Sequence, residues 1–269
     1  MEVFILPKAL VNEIELFYDI YGTGEPLLLI AGFDSDSSSW SVLMPFLVKH
    51  YQVIRFDNRG VGQSSAPKSL YSIQQMSVDT IALLDYLEIS QVHVAGHSMG
   101  GQIAQELTLA QPEKVKSLIL LSSWAKGDSK FHAIIELFGD LPSKLDAVLY
   151  QTSLLPWLFS DRFYATPGVI EQIINQIRKY PFLPKPHALY HQSRAILNSD
   201  TSKRLASIYA PTLVMVGQQD IITPIKFSEH LAQGIPNAEL VMLEQVGHAC
   251  FIESPEIVAQ KMLKFLTKH

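Results

Sequence analysis

The sequence is short of several things, and each shortage excludes a class of protein. Only one cysteine, Cys250, stands among 269 residues. No internal disulfide can form, and a reducing compartment, the cytoplasm, is the expected setting. No apolar run approaches the ~18 residues a membrane-crossing helix needs. The opening Met1-Glu2-Val3-Phe4-Ile5-Leu6-Pro7-Lys8 lacks the basic start, long apolar stretch and cleavage site of a secretory leader, so none is expected. Basic charge is scarce: 21 Lys and Arg face 26 Asp and Glu, a net of −5. Nucleic acid, which calls for a basic face, is therefore not an expected partner. No glycine-rich phosphate loop closes on a lysine, which leaves nucleotide chemistry unsupported. What is present is apolar: 48% hydrophobic against 17% charged residues, too hydrophobic for disorder. A chain of this length buries roughly three quarters of its unfolded surface and needs no covalent staple.

Short apolar runs at 27–31, 53–57, 92–96, 118–122, 212–217 and 239–243 predict strands. Their nearly continuous hydrophobicity suits parallel strands covered on both faces. Residues 14–21 alternate, as a more exposed antiparallel strand would. Helices are expected over 77–87, 102–110, 224–234 and 255–267. The first places Val78, Ile81, Ala82, Leu84 and Leu87 largely on one side, and in the last Ile257, Val258, Lys261, Met262 and Phe265 bracket the inner face. Strands alternating with helices predict an α/β fold, a mostly parallel central sheet with helices on both faces. The rhythm breaks between 124 and 204, where helical patterns at 130–140, 168–180 and 187–198 are punctuated by prolines including Pro156 and Pro184. The expected organisation is a core of 1–123 and 205–269, with 124–204 inserted between two late strands as a helical cap over the carboxyl ends of the strands.

Gly96-His97-Ser98-Met99-Gly100 carries the chemistry. A strand leads in, small residues relieve a cramped turn, and a helix leads out, the geometry that lifts a serine hydroxyl above a sheet. A neutral serine is a weak nucleophile and needs a base, itself oriented by an acid. Among nine histidines, His248 is best placed, in the loop between the last strand and the last helix. Asp220 follows the strand at 212–217 by three residues and supplies an acid at a strand end. The chain order Ser98, Asp220, His248 is that of the α/β-hydrolases.

With those residues in place, the chain resembles the α/β-hydrolase fold superfamily over nearly its whole length. The likeness is carried by Ala31-Gly32-Phe33 with Trp40 downstream, Asp57-Asn58-Arg59-Gly60-Val61-Gly62-Gln63-Ser64, the Ser98 turn, Gly217-Gln218-Gln219-Asp220, and Gly247-His248 followed by Glu253-Ser254-Pro255. It is similar to the branch that holds 3-oxoadipate enol-lactonases, small carboxylesterases, cofactor-free haloperoxidase-like esterases and pimeloyl-carrier methyl esterases. The resemblance implies an oxyanion hole from the backbone N–H groups of Phe33 and Met99, with no cofactor and no metal. The family usually carries His-Gly before the first donor. Here Ala31 replaces that histidine, which removes the usual side-chain bracing of the loop.

Other residues have plainer readings. Asp57, Asn58 and Arg59 are expected to brace loops, Asp34 and Asp36 to sit in a solvated polar loop, and His97 to pack or hydrogen-bond beside Ser98. His187 and His191 have metal-ligand spacing but no third ligand. Cys250 is expected to pack as a bystander thiol. Serine at the turn excludes the aspartate-based dehalogenases and epoxide hydrolases, and suits acyl transfer to water from an ester, lactone or thioester. Carbon–carbon bond hydrolases share Ser98-Met99-Gly100-Gly101. They typically carry a Gly/Pro-rich oxyanion loop and a Trp after the histidine, where this chain has Asp34-Ser35-Asp36 and Ala249. A non-catalytic ligand receptor of the same fold is the alternative from another class. Within 124–204, Trp124, Trp157, Phe159 and Phe163 are candidate pocket residues for a small-molecule ester or lactone. Residues 124–208 carry a net +3 against −8 elsewhere. That asymmetry would steer an anionic substrate or an acidic carrier protein, although a solvated helical surface gives the same counts.

Overall fold

The computed structural model describes residues 7–183 and 185–269. Residues 1–6 and Pro184, used in the sequence reading, lie outside them. Eight strands form one sheet: β1 (Lys8–Val11), β2 (Ile14–Tyr21), β3 (Glu25–Ile30), β4 (Tyr51–Phe56), β5 (Val92–His97), β6 (Val115–Leu121), β7 (Thr212–Gly217) and β8 (Ala238–Leu243). Their spatial order is β1-β2-β4-β3-β5-β6-β7-β8. β1 and β2 pair antiparallel, and every pair from β4 to β8 is parallel. β1 was not expected, because its four residues alternate too briefly to stand out from a loop.

Side-chain alternation along the strands divides the core into two layers. Leu28, Ile30, Ile54, Phe56, Val94, Leu118, Leu120 and Val214 point into one apolar layer. Leu27, Leu29, Val53, Ala95, Ile119, Leu121, Leu213 and Met215 point into the other. The first layer is closed by α2 (Ile73–Tyr86), α3 (Met99–Ala110) and α9 (Ile225–Gly234). The second is closed by the short α1 (Met44–Leu47), α10 (Cys250–Glu253) and α11 (Pro255–Leu266). Burial on both faces is why these strands read as continuous hydrophobic runs.

Two helices differ in detail from expectation. α2 begins four residues early, where the Ser72 side chain accepts from the Gln75 N–H at 3.0 Å as an N-cap. Its inner face includes Asp79, which Arg59 grips at 2.6 and 2.9 Å, while Val78 is half exposed. A buried ion pair has thus displaced the apolar stripe the spacing suggested. In α11, Val258, Met262 and Phe265 are buried but Ile257 is 50% exposed.

Between β6 and β7 the chain leaves the sheet for α4 (Ser129–Asp140), α5 (Ala147–Leu158), α6 (Asp161–Tyr164), α7 (Val169–Lys179) and α8 (Pro186–Leu197). Exit and return lie side by side: Thr201 N–H donates to Ala125 O at 3.0 Å, and Lys126 pairs with Asp200 at 3.0 Å. Gln102 on α3 holds this neck through Trp124 O at 2.6 Å and Ala125 O at 3.0 Å. Trp124, Phe131 and Leu189 belong to the same apolar layer as β3 and β5, so the helical segment is continuous with the sheet's core. α5 escaped the sequence reading because it is apolar around much of its circumference and contains Pro156, which looks like a stop. Among the described residues no helix is long and apolar enough to cross a membrane.

Candidate active site

Ser98 sits between β5 and α3 with φ 53° and ψ −118°, left-handed backbone that an L-residue adopts only under constraint. The constraint is visible in its surroundings. Ser98 N–H donates to Leu121 O at 2.9 Å, and Ser98 O accepts from Gly101 N–H at 2.9 Å and from Ser123 Oγ at 3.0 Å. A side chain at Gly100 would collide with Ile30 O, so the turn can press against β3 only because that position is bare.

His248 Nε2 lies 3.0 Å from Ser98 Oγ, and its Nδ1 lies 2.8 Å from Asp220 Oδ2. All three residues are buried, Asp220 at 4% and His248 at 3% exposure. Asp220 Oδ1 accepts backbone N–H groups from Ile222 at 3.0 Å and Thr223 at 2.7 Å, and Oδ2 accepts from Thr223 Oγ1 at 2.7 Å. With its oxygens so placed, the carboxylate fixes the ring by accepting a hydrogen bond from Nδ1–H, which leaves the Nε2 lone pair facing Ser98. Thr223 carries no sequence signal beyond its place three residues after Asp220.

The histidine loop is braced by Glu253, whose Oε1 accepts from Gly247 N–H at 2.9 Å and from Ser160 N–H at 2.8 Å. Ser160 Oγ donates to Glu253 Oε2 at 2.5 Å, and Ala249 N–H donates to Leu158 O at 2.9 Å. The helical segment therefore helps hold the base in place. His97 does what was expected of it: Nε2–H donates to His248 O at 3.1 Å, and burial, then the neighbouring His248, pushes its pKa down to about 3. It stays neutral, and its one side-chain hydrogen bond among the described residues goes to His248 O and not to Ser98. Burial pushes the Cys250 thiol up to about 12, so it is no thiolate at neutral pH.

Phe33 and Met99 border Ser98 from two elements. Met99 opens α3, and Phe33 follows Gly32, where an added Cβ would stand only 3.2 Å from Ser98 Cβ. Among the described residues neither N–H donates to a protein acceptor. The bracing that Ala31 cannot give comes from elsewhere. Asn58 Nδ2 donates to Ala31 O at 3.0 Å, Asp57 Oδ1 accepts from Ser37 N–H at 2.8 Å, and Gln192 Oε1 on α8 accepts from Asp34 N–H at 3.2 Å. Asp57, Asn58 and Arg59 all act as braces.

Above Ser98 lies a cavity of about 80 Å³, walled by Phe33, Ile135, Phe138, Leu154, Leu158 and Ile222. That is room for two or three waters' worth of ligand. The four aromatic pocket candidates are not in its wall. Trp124 is 1% exposed against Phe131, ring centroids 4.6 Å apart. Trp157 packs edge-on behind Phe138 at 5.6 Å, and Phe159 stacks on Phe163 at 4.5 Å. They pack against other aromatic rings, and Phe33, Phe138 and four aliphatic side chains face the serine. Asp34 also departs from expectation. It lines this cavity as well as a neighbouring chamber of about 540 Å³ that includes Asp36, Gln151, Gln176 and Tyr180. His187, read for metal spacing, bonds Ala66 O at 3.2 Å through Nε2.

Residues 25–255 match the family model for the alpha/beta hydrolase fold. The chain belongs to that family. RutD of Azorhizobium caulinodans, named as a candidate carbamate hydrolase, is 30% identical over 261 residues, 97% of this chain and 98% of that protein. The enol-lactonase of Burkholderia xenovorans superposes with a TM-score of 0.85 at 27% identity, covering 97% of this chain and all of that one (100%). A thermophilic esterase of Thermogutta terrifontis gives a TM-score of 0.85 at 28% identity, over 95% and 94% of the two chains. These similarities support hydrolase activity.

Proposed function

We propose that the protein is a serine hydrolase that cleaves a carboxylic ester, lactone or thioester through an acyl-enzyme on Ser98, with 124–204 as the cap that shapes its acyl pocket. The reading is carried by one observation, the buried hydrogen-bonded chain Ser98 Oγ–His248–Asp220. In the first half, His248 Nε2 takes the Ser98 proton as Oγ attacks the carbonyl carbon. Phe33 and Met99 N–H groups receive the negative charge on the carbonyl oxygen, and His248 returns the proton to the leaving alcohol. In the second, His248 activates water to attack the acyl carbon and hands its proton back to Ser98. Asp220 stays ionised and stabilises the imidazolium in both halves.

The similarity to an enol-lactonase and an esterase agrees with this chemistry. Hydrolysis of p-nitrophenyl acetate by wild type and by Ser98→Ala tests it. Ser98-dependent turnover supports the reading. Equal rates in the two proteins would leave a binding member of the fold, and turnover only of a meta-cleavage dienoate would move the reaction to carbon–carbon hydrolysis.

A further inference from the structure

Asp34 is the one acidic group at the site that its surroundings leave unfinished. Its backbone is left-handed, φ 55°, which costs least for glycine and is tolerated by aspartate. Its N–H is tied to Gln192, so the loop cannot easily turn the side chain away. Oδ1 is closed off from solvent and meets no hydrogen-bond partner. Burial pushes the carboxyl well above the ordinary carboxylate range and Asp36 adds to the rise, while hydrogen bonding from Gln151 and Tyr150, which leaves Oδ1 unpartnered, pulls it down. The Tyr150 hydroxyl is directed to Phe138 O at 3.2 Å. Asp36, by contrast, is satisfied: Ser38 donates to it through N–H at 2.9 Å, and the Tyr180 hydroxyl caps its other oxygen.

A buried acceptor without a donor costs free energy unless a ligand supplies one. Asp34 borders both the cavity over Ser98 and the larger chamber, where Asp36 is a second carboxylate and Lys179 the one cationic side chain. We propose that Asp34 is a specificity residue that binds a protonated amine on the substrate, so that the preferred ester carries an ammonium group reaching from Ser98 into the outer chamber. This rests on the serine-hydrolase reading above. It also reverses the anionic substrate that the charge of the helical segment suggested, since an anion would meet Asp34 and Asp36 first. The ammonium supplies both the missing donor and the counter-charge that burial withholds from the carboxyl.

The test compares three p-nitrophenyl esters of similar length: heptanoate (neutral), 6-aminohexanoate (cationic) and the adipate monoester (anionic). Wild type should favour the cation over the neutral ester in kcat/KM by about 10- to 100-fold, the size of one charge-assisted hydrogen bond. Asp34→Asn, nearly isosteric and tolerant of the same backbone, should abolish that preference and leave the neutral ester within about threefold. Binding of 6-aminohexanamide to Ser98→Ala, by calorimetry, should be lost in Ser98→Ala/Asp34→Asn, which reads the subsite without turnover. The proposal is overturned if wild type shows no cation preference or favours the anion. It is equally overturned if Asp34→Asn lowers all three esters together, or keeps the preference as a neutral acceptor would. Ser98-independent turnover of every ester, with Asp34-dependent amine binding intact, would instead overturn the hydrolase reading and leave this one standing.

Discussion

On the sheet side of the site, Ser98, Asp220 and His248 hang from strand ends whose backbone is bonded to neighbouring strands: Ser98 N–H to Leu121 O, Ser122 N–H to Met215 O at 2.8 Å, Gln218 N–H to Leu243 O at 2.9 Å. On the cap side, the wall over Ser98 is made of side chains from α4 and α5, tied to the sheet chiefly through Leu158, Ser160, Asp161 and Gln192. Hydrogen-bonded backbone holds reacting atoms to fractions of an ångström, as proton transfer and oxyanion binding require. Packed aliphatic side chains set only volume and polarity. The comparison teaches that chemistry and selection are separable here except at one seam. That seam is Glu253, which bonds Ser160 of the 124–204 segment and Gly247 of the His248 loop together.

Breaking the sheet side has the largest effects. Ser98→Ala and His248→Ala should each lower kcat by at least ~10⁴-fold with Tm little changed, and the double variant should lose little more, because such groups act as a unit. Asp220→Asn should cost up to ~10⁴-fold by favouring the wrong imidazole tautomer. A single ester assayed under saturation measures all four. At the seam, Glu253→Gln should lower kcat about tenfold, by nearly the same factor for acetate through decanoate esters, since it disturbs the base and not the wall. An effect that depends on chain length would move Glu253 to the selection side.

The cap wall should give smaller and selective effects. The cavity of about 80 Å³ favours short acyl groups, and Phe138→Ala should shift discrimination toward longer ones by ~1–3 kcal/mol. Phe159→Ala and Phe163→Ala, which stack away from the serine, should lower Tm and leave chain-length preference unchanged. The ratio of kcat/KM for octanoate and acetate esters separates the two. Smallest at neutral pH is the effect of His97. Its pKa falls from 6.5 to about 3 on folding, so the unfolded chain takes up a proton that the folded one refuses. Stability is therefore full above pH 6.5 and is lost as pH falls toward 3, at ~1.4 kcal/mol per unit at most. His97→Asn should flatten that slope in denaturant titrations between those limits, while leaving Tm at pH 8 nearly unchanged.

Legibility in the sequence follows the same division. Parallel strands announce themselves because both faces are buried, and the Ser98 turn because small residues cluster where backbone crosses backbone. Asp220 and His248 could be read from their places after β7 and β8. The roles of Thr223, Glu253 and Gln192 could not, since each rests on side-chain hydrogen bonds that reach loops distant in sequence, Thr223 to Ser122 O, Glu253 to Ser160, and Gln192 to Asp34 and Arg59 O. Asp34 read as solvated loop because nothing local reveals that α5 closes over it. Trp124, Trp157, Phe159 and Phe163 attracted attention as pocket residues, yet their bulk is consumed by packing, and the wall was left to Phe33 and Phe138 with the aliphatic Ile135, Leu154, Leu158 and Ile222.

The most direct test is to find where the acyl group goes. Mixing the enzyme with p-nitrophenyl acetate, quenching with acid within milliseconds and sequencing peptides by mass spectrometry should place one acetyl group on Ser98. A matching nitrophenolate burst should accompany it, and both should be absent in Ser98→Ala. Acetyl on Cys250, or Ser98→Ala turning over at the wild-type rate, would contradict the account.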